Sequence, residues 1–350
     1  LRGVFYNSPF FISKPAMFQD RKNLLYYLGL FSPLIFLVLL ILVFSLLHPR
    51  FLHPLNIFNV LRQSSITGLT AWGMTFVIIV RGIDLAVGSL LALCGLVGAV
   101  IAKGGLVERF SVGVNTELAN PWYWALAGSI LIGLVAGSVN GLCITKLKVP
   151  AFVVTLGGLS AYRGAALIVS DGGPISGFNE AYRWIGQGKI GMVPIPVIIF
   201  LVFIVLCHII LNYTLYGRYI YSVGGNPEAA RLSGINTDLI ITSTYVITGF
   251  FVGLSSFILS ARLNSSEAVA GLGYELTVIA AVVVGGTSLF GGTGNILGTR
   301  CTARAATLRE RVAGPAASFT PVTASNQVYP QSHNTRNLLI KTERLINNSS

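Results

Sequence analysis

The chain has 350 residues, 53% of them hydrophobic and only 10% charged, with a mean hydropathy of +0.73. Soluble domains carry about 25% charged residues, so this deficit excludes an ordinary soluble protein and points to a membrane one. The net charge of +12, from 24 basic against 12 acidic residues, forms no stripe interleaved with aromatics, which argues for a lipid partner and against nucleic acid.

Residues 1–23 are polar enough to be read as an N-terminal segment on the cytoplasmic side, since Arg21 and Lys22 directly precede the first apolar run. A spanning helix needs about 20 apolar residues. Candidates lie at 24–47, 60–80, 84–102, 122–145, 149–170, 191–212 and 239–261. An eighth begins at 276, but the six glycines between 285 and 298 speak against one straight helix. The fold class is therefore all-α, a polytopic transmembrane bundle with about eight recognisable spans. The first run is too long for a signal peptide and no small-residue cleavage site follows it. Alternation places 81–83, 146–148 and 213–238 inside, and 48–59, 103–121, 171–190 and 262–275 outside. Before residue 300 the inside segments carry nine basic residues and the outside ones six, a modest bias in the expected direction. Small residues recur at helix-packing spacing, as Ser129, Gly133 and Gly137, and as Gly95 and Gly98. They point to a tightly packed bundle and offer a surface for a dimer.

Within the inside segment 213–238 lies G-R-Y-I-Y-S-V-G-G-N-P-E-A-A-R-L-S-G-I-N, residues 217–236. Asn226 is suited to cap a helix, Pro227 to its first position, and Glu228 and Arg231 to the two ends of its dipole. Gly234 is suited to end it. A helix of about two turns is unstable alone, so this element is expected to dock onto something.

Polar residues inside apolar segments are the other candidates for function. Asp84, in V-R-G-I-D-L-A-V-G-S, can contact a polar permeant or a proton, or pair locally with Arg81 three residues earlier. Arg163, in L-S-A-Y-R-G-A-A-L-I-V, needs an anion or several carbonyls if buried, or snorkels to the interface. His48, His53, His208 and His333 are scattered and form no metal site, and Cys94, Cys143, Cys207 and Cys301 form no close pair. Asn264-Ser265-Ser266 matches the glycosylation pattern, a short match that chance readily produces. The glycine-rich G-G-T-S-L-F-G-G-T-G-N lacks the lysine of a phosphate-binding loop, so the chain has no recognisable means of using ATP itself. With no nucleophile–base or carboxylate pair at a useful spacing, the chain reads as a non-enzyme without cofactor or metal.

Four ordered stretches resemble the permease of bacterial ATP-binding-cassette (ABC) sugar importers, the branch of the ribose, xylose and galactose systems, and look most like ribose permeases. They are 73–89, 149–164, 217–236 and 261–294. The resemblance covers residues 25–299, so 24–299 is taken as the permease domain. It implies a membrane dimer, a separate cytoplasmic ATPase, a periplasmic sugar-binding protein and about ten spans, in the bacterial inner membrane. Asn226, Pro227, Glu228, Ala229, Ala230, Arg231 and Gly234 fall on the family's coupling helix, which docks into the ATPase. Asp84, Gly88 and Ser89 fall on the first stretch. Gly285, Gly286, Thr287, Gly291 and Gly292 fall on the glycine-rich break beside the translocation path, where exposed backbone groups suit a neutral sugar.

After residue 299 the family character stops, and 300–350 reads as a polar, basic, largely disordered tail with a short helix at 301–313. A reading-frame shift or assembly artefact, a truncated or divergent permease, and an added regulatory segment each account for it. The initial Leu1 in place of Met fits a fragment or a non-standard start. The alternatives to an active permease are thus a truncated or frame-shifted one without transport, and a secondary transporter, for which intramembrane acids are scarce.

Overall fold

The computed structural model describes residues 42, 45–46, 52–105 and 120–294. The expected first span at 24–47 lies almost wholly outside them, as do the N-terminal segment, the tail, the helix at 301–313, His48, His333 and Cys301. The chain divides into a unit of Leu1–Ala303 and one of Arg304–Ser350, and the second falls entirely outside the described residues.

Ten helices are described: α1 (Pro54–Ile79), α2 (Val87–Lys103), α3 (Trp122–Thr145), α4 (Ala151–Ser170), α5 (Glu180–Gln187), α6 (Ile195–Tyr213), α7 (Leu215–Gly225), α8 (Pro227–Leu232), α9 (Thr237–Leu263) and α10 (Tyr274–Val284). Two antiparallel ribbons of two-residue strands join them, β1 (Ile175–Ser176) with β4 (Ser265–Ser266), and β2 (Lys189–Ile190) with β3 (Val193–Pro194). Four helices, α3, α4, α6 and α9, are long and apolar enough to cross a membrane. The architecture is an all-α polytopic membrane bundle with at least these four spanning-length helices.

The centre of the bundle is α9, packed most extensively on α3 and flanked by α1 and α2. Small residues let the two backbones touch. A Cβ on Gly133 would overlap the Gly249 carbonyl oxygen, and one on Gly249 would overlap that of Gly133. Gly137 meets Tyr245 and Gly253 meets Ser129 in the same way. The small-residue stripe of α3 is therefore consumed inside the chain and is not free for a second copy. Polar side chains stitch this dry interior, where each unsatisfied group is costly. Thr248 donates to the Gly73 carbonyl at 2.9 Å, Ser129 to that of Cys94 at 3.0 Å, and Ser256 to that of Leu91.

The two ends of the bundle are built differently. At one end, 81–86, 145–148 and 213–238 gather, with Thr145 and Thr242 hydroxyls 3.0 Å apart. The opposite end carries both ribbons and α5, and Gln187 donates to the Arg262 carbonyl there at 2.9 Å. Asn179 caps α5 by accepting from the Tyr182 amide at 2.8 Å. Tyr182 then sits between Phe178 and Phe257, with ring centroids at 4.4 and 4.8 Å, and its hydroxyl meets Ser260 at 2.6 Å. Burial pushes the Tyr182 phenol up in pKa, so it stays neutral.

Beyond β4 the chain turns back into the bundle. Gly271 presses its carbonyl against Gly88, in the first turn of α2, and α10 starts there rather than at the bundle's end. The expectation that all of 262–275 stays outside is corrected at this point. With 11 residues α10 rises about 16 Å, half of a bilayer core. The eighth expected span is thus a half-length helix followed by a loop, because Gly285, Gly286, Gly291 and Gly292 interrupt it.

Candidate functional site

The expected docking helix exists as α8, and its ends are closed by its own sequence. The Asn226 side chain accepts from the Ala229 amide at 3.1 Å, and Pro227 occupies the first position. At the other end Gly234 takes φ +83, its amide reaches the Arg231 carbonyl at 3.0 Å, and the Ile235 amide reaches that of Ala230 at 3.1 Å. This pair of bonds satisfies two of the carbonyls that a helix end leaves free. Ala230 turns inward and is 4% exposed. Glu228, Ala229, Arg231 and Leu232 face out, and Leu232, 86% exposed, presents an apolar side chain to solvent. Glu228 and Arg231 pair at 3.0 Å, an exposed ion pair of about 0.5 kcal/mol or less. Beside α8 runs a groove lined by Tyr216, Tyr219, Ile235 and Leu239.

Sequence reading missed α7, the helix that carries α8. Thr214 caps it by accepting from the Gly217 amide at 3.2 Å. Gly217, Ile220, Val223 and Gly224 form its buried face. The three- and four-residue spacing of those positions, with Thr214 ahead of them, was the available signal.

The two termini that meet near the α8 base are α1 and α7. Helix α1 ends with Arg81 in the left-handed region, φ 66. The Arg81 amide reaches the Ile78 carbonyl at 3.0 Å and the Gly82 amide that of Val77 at 2.8 Å. The Arg81 guanidinium then donates to the last carbonyls of α7, from Nε to Gly224 at 2.6 Å and from its terminal nitrogen to Gly225. Of the two alternatives for Asp84, the local pairing with Arg81 is not the one observed: Arg81 spends its donors on α7. Asp84 is 2% exposed and accepts from the Ala86 amide at 2.9 Å, closing the entry to α2. Ser89 donates to the Ala86 carbonyl at 3.0 Å in the same turn.

The glycine-rich segment reaches the same place. Helix α10 stops at Gly285, and Gly286 turns left-handed with φ 92. The amides of Gly286 and Thr287 close back on Val283 and Val282, at 2.9 and 3.2 Å. Thr287 is buried. The loop is closed by Ser288 donating from its amide to Thr293 at 2.9 Å, and it is tied to α1 by the Gly292 amide on the Ile79 carbonyl at 2.9 Å. Tyr221 of α7 donates to the Gly294 carbonyl at 2.8 Å. Of the expected site residues, the structure brings the loop 285–292 against Gly224 and Gly225, which directly precede the expected 226–234, with the α1–α2 turn bearing Asp84 at the same end.

Gly88 and Arg163 belong to a second place, where α10 begins. Gly88 lies against Gly271 and the Glu275 carboxylate. Arg163 donates to the carbonyls of Ala268 and, at 2.9 Å, Ala270. The carbonyl alternative for Arg163 is the one observed, and it accounts for how non-helical backbone survives there. Near the α2 entry lie buried Asn140 and half-buried Tyr162, whose hydroxyl donates to Asn140 Oδ1 at 2.8 Å, while Asn140 Nδ2 has no partner. Asn264 accepts from the Phe178 amide at 2.8 Å and so serves the bundle's end. Among the described residues no group of His, Cys, Asp and Glu can hold a metal ion, and Cys94, Cys143 and Cys207 are free thiols.

The family model described as branched-chain amino acid transport system / permease component matches residues 56–329. The ribose import permease protein of Haemophilus influenzae is 40% identical over 75% of this chain and 78% of its own length. That of Bacillus subtilis is 40% identical over 82% and 86%, and that of Escherichia coli K12 42% over 76% and 80%. No solved structure matches the chain. The bundle and these likenesses together place the chain in the branched-chain amino acid transport system / permease component family, as a multi-pass inner-membrane transport permease and not a catalytic enzyme.

Proposed function

We propose that this chain is the membrane subunit of an ATP-driven importer of a monosaccharide, ribose in the first instance. The observation that carries the substrate is the likeness, over most of both chains, to three ribose import permeases. In this reading the protein has about eight recognisable spans of a family arrangement of about ten, and pairs with a second permease chain. The end bearing α8 faces the cytoplasm, and the end bearing the two ribbons receives a periplasmic sugar-binding protein.

Helix α8 is the coupling helix. Its exposed Glu228, Arg231 and Leu232 offer charge and apolar surface to an ABC ATPase, while Ala230 anchors it to the bundle. Nucleotide binding draws two ATPase subunits together and moves α8, and the bundle exchanges inward- and outward-open forms. The permease makes and breaks no bond. Asp84, Gly88, Ser89, Arg163 and the loop 285–292 line or frame the translocation path. Interrupted helices give a sugar hydroxyl backbone partners that a continuous helix would keep for itself.

Uptake of radiolabelled ribose in a host lacking its own ribose permease tests this reading. Restored uptake that excess unlabelled ribose abolishes, and excess leucine does not, supports it. Leucine uptake in place of ribose uptake replaces the sugar with an amino acid, and no uptake of either refutes transport by this chain.

A further inference from the structure

Three segments that are far apart in sequence end at one point. They are the C-terminus of α1, the C-terminus of α7 one residue before the α8 cap, and the glycine loop 285–294. The contacts are backbone-close. A Cβ on Gly224 would overlap the Ile79 carbonyl oxygen, and a Cβ on Gly292 would stand 2.9 Å from Gly225 Cα. A Cβ on Gly291 would overlap the aliphatic stem of Arg81. Two side chains bond across the point, Tyr221 from α7 to the Gly294 carbonyl at 2.8 Å and Arg81 from the end of α1 to α7. Arg81 fills a left-handed position that favours glycine, and from there it sends two donors into the carbonyl end of α7. A helix C-terminus is the negative end of the dipole, with free carbonyls, so a guanidinium fork fits it in charge and in geometry.

From this we infer that Arg81 is a positioning residue that locks the base of α8 to the α1–α2 turn and the glycine loop, so that the three move as one body. The inference rests on the coupling role proposed for α8. Displacement of α8 is transmitted through Asn226 to the α7 end, through the guanidinium to Arg81, and onward in two directions. One runs along 82–86, where buried Asp84 holds the entry to α2. The other runs through the Ile79 carbonyl to Gly292. Without the fork, α8 still holds an ATPase but passes its movement on through packing and the Tyr221 and Gly292 bonds alone, a looser coupling. The lock gives a physical reason for a side chain in a glycine conformation at this position.

The test uses the full chain in proteoliposomes with an ABC ribose ATPase and a ribose-binding protein, reading ribose moved and ATP hydrolysed in the same sample. Arg81→Met keeps the stem against Gly291 and removes the donors. It is expected to retain ATPase capture and hydrolysis within twofold while ribose moved per ATP falls about tenfold. Arg81→Lys, with the charge but no fork, is expected to lie between. Hydrolysis and uptake falling in proportion, or a ratio equal to wild type, overturns the inference. Hydrogen exchange on the chain alone, in detergent, reads the lock without transport. In Arg81→Met the amides of Gly292 and Asn226 are expected to exchange about tenfold faster, with those of α3 unchanged. Wild-type exchange at both overturns the lock even if transport is intact. A wild-type chain that moves no ribose defeats the coupling reading instead, and exchange alone then decides the lock. Should Arg81→Met fail to fold, Arg81→Gln, which keeps a shorter stem and loses the charge and the fork, carries the same expectations.

Discussion

Gly133 and Gly249 face each other where no side chain fits, and this contact sets the distance between α3 and α9. Gly133→Leu is expected to cost roughly 1–3 kcal/mol by overpacking and to lower the thermal midpoint in detergent by several degrees. Gly157→Ala in α4, with nothing within 4 Å, is expected to leave that midpoint unchanged. The neighbouring Gly224 and Gly225 give a sharper contrast. Alanine at 224 meets the Ile79 backbone, and alanine at 225 meets open space, so only the first is expected to reduce folded yield. Arg163 is a structural residue by its contacts. Arg163→Leu orphans the carbonyls of Ala268 and Ala270, at about 1–3 kcal/mol each. Limited proteolysis should then cut within 264–275 faster than in wild type. Carbonyls were one open reading for Arg163, but the partners in these contacts were not legible in the sequence. Which glycine touches which, and that Arg81 turns from Asp84 to α7, depend on residues more than 100 positions apart.

Elements were read better than contacts, for a physical reason. Apolar runs are a local signal, and the expected spans at 122–145, 149–170 and 239–261 agree with α3, α4 and α9 to within two residues. Helix α8 was legible for the same reason: its cap, its proline and its terminal glycine lie within nine residues of one another. What sequence reading missed are the elements that are polar or half-buried. Helix α7 and helix α5 are short, and their apolar faces interleave with tyrosines and arginines that mask them as loop. The inward turn at 268–271 is marked locally only by Gly271, at φ 69, and its direction is set by Arg163 from another helix. For α8 itself, Asn226→Ala removes the cap at a cost of about 1 kcal/mol. Capture of the ATPase by the purified chain is expected to weaken about fivefold, measured as a shift in apparent Kd. An unchanged Kd would mean that the partner does not read the folded helix.

On the scale of the molecule, one end of the bundle gathers, among the described residues, the exposed face of α8, the end of α1, and a glycine loop at the foot of a half-length helix. The opposite end carries ribbons and a short amphipathic helix, held by the Tyr182 stack and by Asn264. This asymmetry fits a protein driven from one side and loaded from the other. An ATP-driven permease and a secondary transporter differ in where the energy enters, at a surface that docks an ATPase or through an intramembrane ion site. The most direct test is ribose accumulation in proteoliposomes containing the full chain, an ABC ribose ATPase and a ribose-binding protein, under ATP alone or an ion gradient alone. Accumulation is expected with ATP, none with a sodium or proton gradient, and Leu232→Asp on the exposed face of α8 should abolish the ATP-driven signal. Accumulation driven by an ion gradient without ATP, or full ATP-driven accumulation by Leu232→Asp, would contradict the account.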